Sequence, residues 1–129
     1  MEKSGLQCKN PRLVDVEFKI NRDFDNQDDE SINIKTEFHV NIDKIEEKSE
    51  AIVELTVIIG SKDHSQPFYI SATEGALFRW SEDLNERESI LLEQNAPAIL
   101  LGYIRSIVSM LTAVSPFEAY DIPLINFKK

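Results

Sequence analysis

At 129 residues with a formal net charge of −9, the chain holds one domain's worth of sequence and is long enough to bury a core without disulfides. With 14 basic against 23 acidic residues it lacks the clustered Lys and Arg that phosphate contacts or an anionic lipid surface demand, which excludes a general nucleic-acid binder. Its single cysteine, Cys8, cannot close an internal disulfide, so the composition reads as cytoplasmic.

The opening "MEKSGLQCKN" has no apolar centre and is not a signal peptide. Residues 1–11 read as a flexible tail, with Cys8 in it and outside any shaped pocket, and residues 12–127 as a single domain. "RLVDVEFKIN" then alternates, with Val14, Val16, Phe18 and Ile20 on one side and Asp15, Glu17, Lys19 and Asn21 on the other, the pattern of a half-buried strand. The acidic stretch around Phe24, including Asp28 and Asp29, reads as an exposed loop.

"SINIKTEFHVNID" gives a second strand, with Ile32, Ile34, Phe38, Val40 and Ile42 apolar and Thr36 the exception. After the charged turn around Glu46 and Glu47 comes "AIVELTVII", apolar on both sides because Ile52 and Ile58 join the row Ala51, Val53, Leu55, Val57 and Ile59. That suits a central strand. "FYISATEGALFRW" is a fourth strand, in which Gly75 suggests a bulge or a close backbone approach. Polar loops without helices join all four, so the fold class is α+β, a four-stranded antiparallel meander packed with one long C-terminal helix.

Ser81 precedes a helical piece, and Asn95 is a second candidate N-cap with Pro97 in the first turn, where its missing N–H is harmless. The helix runs to about Val114. On a 3.6-residue wheel it carries two apolar stripes. Leu100, Ile104, Ile107, Val108 and Leu111 form one; Ile99, Tyr103, Met110 and Val114 form the other, flanked by the small residues Gly102, Ser106, Ser109 and Ala113. A single sheet covers one stripe. The second calls for the C-terminal tail folded back or for another copy of the chain, and the row of small residues favours the second copy. Ile99, Gly102, Tyr103, Ser106, Ser109, Met110 and Ala113 are therefore the expected oligomer interface. Arg105, set midway in the segment, argues against a membrane span. The apolar tail "SPFEAYDIPLINFKK" is expected to pack on the body in extended form.

Chemistry is absent from the pattern. His39 and His64 have no ligand partner at workable spacing, so no metal site is expected. No phosphate loop or nucleophile elbow occurs, and no cofactor is implied. The chain does not read as an enzyme.

The spacing of "NAPAILLGYIRSIVSMLT" and "IPLINF" resembles the protein-export chaperone SecB, a family with a Pro-x-Ile-Leu-x-x-Tyr helix followed by a Pro-x-Asn-Phe element. Here these are Pro97, Ile99, Leu100 and Tyr103, then Pro123, Asn126 and Phe127, with Leu124 and Ile125 in the gap; Glu74–Phe78 looks like the family's Gly-rich strand end. The resemblance implies a tetramer built as a dimer of dimers and an ATP-independent holdase that binds unfolded polypeptides in apolar grooves. Client contacts are expected at Phe24, Tyr69, Tyr103, Phe117, Tyr120 and Phe127. Family members serving export continue into a second helix and a polar tail, whereas this sequence ends at Lys129, so a groove wall and tail contacts to the motor SecA are expected to be missing. Of the acidic patch that would receive the motor, Asp15 fits, while Lys19 and Ser71 stand where acids are expected. A chaperone dedicated to one partner, such as the antitoxin of a toxin–antitoxin module, and an oligomeric scaffold without holdase activity are the alternatives.

Overall fold

The alternation in the second half of the sheet is carried through into β-structure with little distortion. The computed structural model describes residues 5–24, 33–45, 47–63, 65–123 and 127. Ile32, His64, Asp28, Asp29, Glu46 and Leu124 to Asn126, singled out above, lie outside them. Four antiparallel strands form one sheet: β1 (Leu6–Ile20), β2 (Thr36–Ile45), β3 (Glu50–Gly60) and β4 (Phe68–Trp80). A helical segment follows, ending in the long helix α2 (Ala96–Ala113).

The strand order is β1-β4-β3-β2, which corrects the meander in one respect. β2, β3 and β4 follow one another as hairpins, but β1 pairs with β4 at the opposite edge from β2. Fifteen residues, 21–35, separate β1 from β2. A connection of that length reaches about 50 Å when extended, against about 14 Å for three strand spacings, so nothing obliges β1 to pair with its neighbour in sequence.

A second correction concerns the N-terminus. β1 begins at Leu6, inside the expected tail, and Leu6 to Lys9 pair with Trp80 to Leu77. Leu6 is buried and Cys8 half-buried. The pairing was hidden because β1 is irregular. Register shifts fall between Lys9 and Arg12 and between Leu13 and Asp15, and Asn10 takes a positive φ of 53°. Each bulge inserts a residue and breaks the period of two, so alternation begins only after it. Val14, at the second bulge, leaves the row of Val16, Phe18 and Ile20 and meets Gly75 on the other face of the sheet. A Cβ at Gly75 would stand 3.2 Å from a Val14 methyl and 3.1 Å from Glu54 Cγ. The glycine marks a close approach, with the bulge on the facing strand.

The inner face of the sheet carries the core. Ala51, Val53, Leu55, Val57 and Ile59 of β3, with Phe68, Ile70, Ala72, Ala76, Phe78 and Trp80 of β4, are buried beneath Leu100, Leu101, Ile104 and Val108 of α2. Leu101 thus joins the inner stripe, whereas Ile107 and Leu111 are only half-buried.

The approach to α2 is one continuous helical path of changing pitch: a 3₁₀ stretch (Glu82–Arg87), a short α-helix α1 (Glu88–Ile90) and a π-helical turn (Leu91–Asn95). Asn95 is helical and makes no cap bond, so it is not the N-cap expected. Pro97 explains the wide turn. It has no N–H for the carbonyl four residues back, and its ring crowds that carbonyl. The chain relaxes by letting the Ala96 N–H donate to Leu91 O, five residues back. The path is tied to the sheet where Trp80 Nε1 donates to Asn85 Oδ1 at 2.8 Å.

Glu82–Ala113 is long and apolar enough to cross a membrane by length and composition alone, with a mean hydropathy of 1.5. Its inner stripe is spent on the sheet, and Arg105 Nε donates to Ile122 O at 2.8 Å.

Candidate functional site: aromatic cluster and open helix face

The tail is folded back, as its composition demanded, but not over the second stripe. Thr112 is the clasp. Its buried hydroxyl donates to Val108 O at 2.8 Å and accepts from the Tyr120 N–H at 2.7 Å. Ser109 Oγ donates to Asp121 Oδ1 at 3.1 Å, and Ile122 is fully buried. These bonds hold the tail along the edge of α2 that bears Arg105, Ser109 and Thr112.

The tail brings aromatic rings together. Phe117 packs on Phe68 and Phe24, with ring centroids 6.2 Å apart in each pair, and Tyr120 lies 6.3 Å from Phe68. Phe68 also meets Phe18 edge-on at 6.4 Å, and Phe127 meets Phe38 at 6.0 Å. The Tyr120 hydroxyl and Thr36 Oγ1 lie 3.3 Å apart, joining the tail to β2. Phe24, Phe117, Tyr120 and Phe127 are half-buried, one side of each ring packed and the other facing out. Four of the six expected client residues therefore share the inner-face side of the molecule. Phe68, the hub of the cluster, was missed because alternation marks it as core and says nothing of what packs on it.

The other two lie apart. Tyr69 follows Phe68 in β4 and so points to the outer face, where Lys62 Nζ sits 5.0 Å above its ring. Tyr103 is 44% exposed on the second stripe of α2. Ile99, Met110 (62%) and Val114 (79%) are exposed beside it. Gly102 faces open space, with nothing within 4 Å of where a Cβ would stand. Of the expected interface residues, Ser106 and Ala113 are exposed as well, while Ser109 is half-buried against the tail. The stripe is left uncovered within the protomer.

Between this stripe and β1 lies an open cleft of about 680 Å³, lined by Arg12, Leu13, Glu74, Ile99, Tyr103 and Ser106 among others. Glu74 interrupts the apolar inner row of β4 and is 3% exposed. Burial pushes its carboxyl above the usual range; burial, with the Glu74 charge second, also raises the Cys8 thiol. A thiol held protonated is a poor nucleophile.

On the outer face Asp15 is exposed opposite Thr73. Its neighbour Glu17 is matched by Lys62 at 3.1 Å and Lys19 at 3.5 Å, and these cations hold its carboxyl below the usual range. The face is thus far from uniformly acidic. His39 is exposed, 3.4 Å from Glu37 Oε2. No group of three His, Cys, Asp or Glu among the described residues could hold a metal.

The sheet has one face under a helix and aromatic rings at its rim, and the helix keeps one apolar face open. The family described as preprotein translocase subunit SecB matches residues 13–129, and the chain belongs to the SecB family. SecB proteins are chaperones and not enzymes. The protein-export proteins SecB of Orientia tsutsugamushi strains Boryong and Ikeda are each 26% identical over 123 residues, 95% of this chain and 72% and 70% of their own length. Among solved structures, a SecB-like chaperone of Mycobacterium tuberculosis in complex with a peptide from an antitoxin matches at a TM-score of 0.73 and 15% identity, covering 93% of this chain and 90% of that one. A Streptococcus agalactiae protein of unknown function matches at 0.54 and 12% identity, covering 92% and 96%.

Proposed function

We propose that the protein is an ATP-independent holdase of the cytoplasm, a homo-oligomer that binds apolar segments of unfolded polypeptides across the aromatic cluster. The observation that carries this reading is the set of half-buried rings Phe24, Phe117 and Tyr120 around Phe68. Rings fixed by packing on one side offer apolar area on the other at little entropic cost, and they tolerate many client sequences. Self-association uses the second stripe of α2, with Ile99, Gly102, Tyr103, Ser106, Met110 and Ala113 at its centre. A dimer of dimers is the expected assembly.

The test is light scattering on a sizing column, with and without a reduced, unfolded client. Phe24→Asp and Phe127→Asp, at the cluster's margins, should lower suppression of client aggregation several-fold without changing oligomer mass. Undiminished suppression in both variants would refute the assignment of the cluster.

A second reading has one observation in its favour. Lys19 and Lys62 flank Glu17 two residues from Asp15 on the outer face, so the stretch of β1 expected to receive a motor such as SecA is partly neutralised. That suits a chaperone dedicated to one partner, an antitoxin by analogy with the solved M. tuberculosis relative. Such a protein would protect its partner and fail to protect unrelated unfolded chains in the same assay.

A further inference from the structure

Glu74 occupies a place where a carboxylate has no evident business. Leu13 of β1 and Leu55 of β3 pair beside it, and Ile99 and Tyr103 of α2 share its cleft. It is 3% exposed and makes no hydrogen bond or ion pair with any described residue. Every fully enclosed side-chain N or O among the described residues does have a partner, so the Glu74 oxygens are those of a nearly buried acid that keeps a narrow opening into the cleft. A carboxylate in that position holds an acceptor ready for a donor from outside the protomer.

Among the described residues that line the same cleft, Arg12 is the one basic residue. Arg12 is exposed at the rim and likewise has no ion-pair partner among the described residues. Strand register keeps the two apart within a protomer. Arg12 pairs with Gly75 and Leu13 with Glu74, so Arg12 leaves the backbone on the outer side of β1 while Glu74 leaves it on the inner side of β4. The cleft opens on the uncovered stripe of α2, alongside Tyr103 and the bare backbone of Gly102. A second copy seated there by a two-fold axis brings an identical acid and an identical cation to the same opening, and in such an interface every contact is made twice.

Resting on the self-association read above, we propose that Arg12 of each copy enters the other copy's cleft and pairs with Glu74, so that two reciprocal ion pairs set the register of the two-fold contact across α2. The apolar stripe supplies area, and the charge pairs reject shifted or foreign partners, in which Glu74 would be covered without a cation.

Charge reversal with mixing tests this on the full chain. R12E alone sets acid against acid and E74R alone cation against cation, so each should weaken self-association at least about tenfold by sedimentation or light scattering. An equimolar mixture of the two, carrying tags of different mass, should restore association as mixed species. There the acid introduced by R12E on one copy meets the cation introduced by E74R on the other, and the native Arg12–Glu74 pair is retained in the reverse sense. A pair formed inside one protomer cannot be rescued by mixing, so failure of the mixture while the wild type associates overturns the proposal and leaves the self-association reading intact. A monomeric wild type overturns both. Because a cation introduced at a buried position can unfold the chain, E74Q and R12Q repeat the test. Each should weaken association, and the double variant no further than either single one. Additive losses, or tighter association of E74Q, overturn the proposal.

Discussion

The two long faces of α2 are built from nearly the same residue types and live in opposite surroundings. Leu100, Leu101, Ile104 and Val108 are sealed against the sheet, while Ile99, Tyr103, Met110 and Val114 face outward. Hydrophobicity does not distinguish them. What does is shape and the neighbours' needs. The inner face is branched aliphatic and packs on the flat rows of β3 and β4, and it ends in Thr112, whose hydroxyl the tail requires. The outer face alternates large with small side chains, and Gly102 leaves a stretch of backbone uncovered. A stripe of that relief suits another helix better than a sheet.

If that comparison is right, the two faces fail in different ways when cut. Ile104→Ala should have the largest effect on stability, about 2–5 kcal/mol in denaturant unfolding, because it opens a cavity under the helix. Ile99→Ala should shift the same transition by less than about 1 kcal/mol in dilute protomer and act instead on oligomer mass. Equal effects at the two positions would erase the distinction. Met110→Asp should dissociate the proposed assembly on a sizing column while leaving the circular dichroism spectrum unchanged, since it places a charge in the proposed interface and nowhere near the core. Thr112→Val sharpens the boundary between the faces. It removes the acceptor of the Tyr120 amide, costs about 1–2 kcal/mol, and should speed amide exchange in the tail before it does so in α2.

The smallest effect lies far from both faces, in the β3–β4 connection. The Ser65 hydroxyl, the Ser65 backbone N–H and the Ser61 hydroxyl all donate to Asp63 and lower its carboxyl to about 2. A carboxyl held below its unfolded value lends stability that is fully present above about pH 4 and is lost as pH falls toward about 2. Asp63→Asn should flatten that part of the acid-unfolding curve slightly and leave association untouched. The outcome is readable from thermal midpoints between about pH 5 and 2.

Much of the architecture was legible. β3 was recognisable as central from its two-sided apolarity, α2 from its period, and the packed tail from apolar residues with nowhere else to go. The misreadings share a physical cause. Strand order depends on which edge accepts β1, and no local pattern records that. The bulges hid Leu6 to Lys9 by breaking the period of two on which strand recognition rests. Asn95 looked like a cap because Pro97 follows two residues later, yet the proline was absorbed by a π turn instead of a helix start. For the candidate site, ring content pointed to Phe24, Phe117, Tyr120 and Phe127, but strand parity separates Tyr69 from them. Glu74 was visible in the alternation of β4 as an acid on an apolar row, a signal that a motif match alone does not bring out.

The strand order also has a consequence in time. β1 leaves the ribosome first, but its partner β4 is complete only about sixty residues later, a wait of several seconds at ordinary translation rates. Meanwhile β2 and β3 can close as a hairpin unaided. Pairing Leu6 with Trp80 closes the longest loop in the sheet and belongs at the end of folding. Until then Val16, Phe18 and Ile20 form an open apolar edge on the nascent chain. A protein proposed to shelter unfinished polypeptides therefore passes through the state it would recognise in its clients.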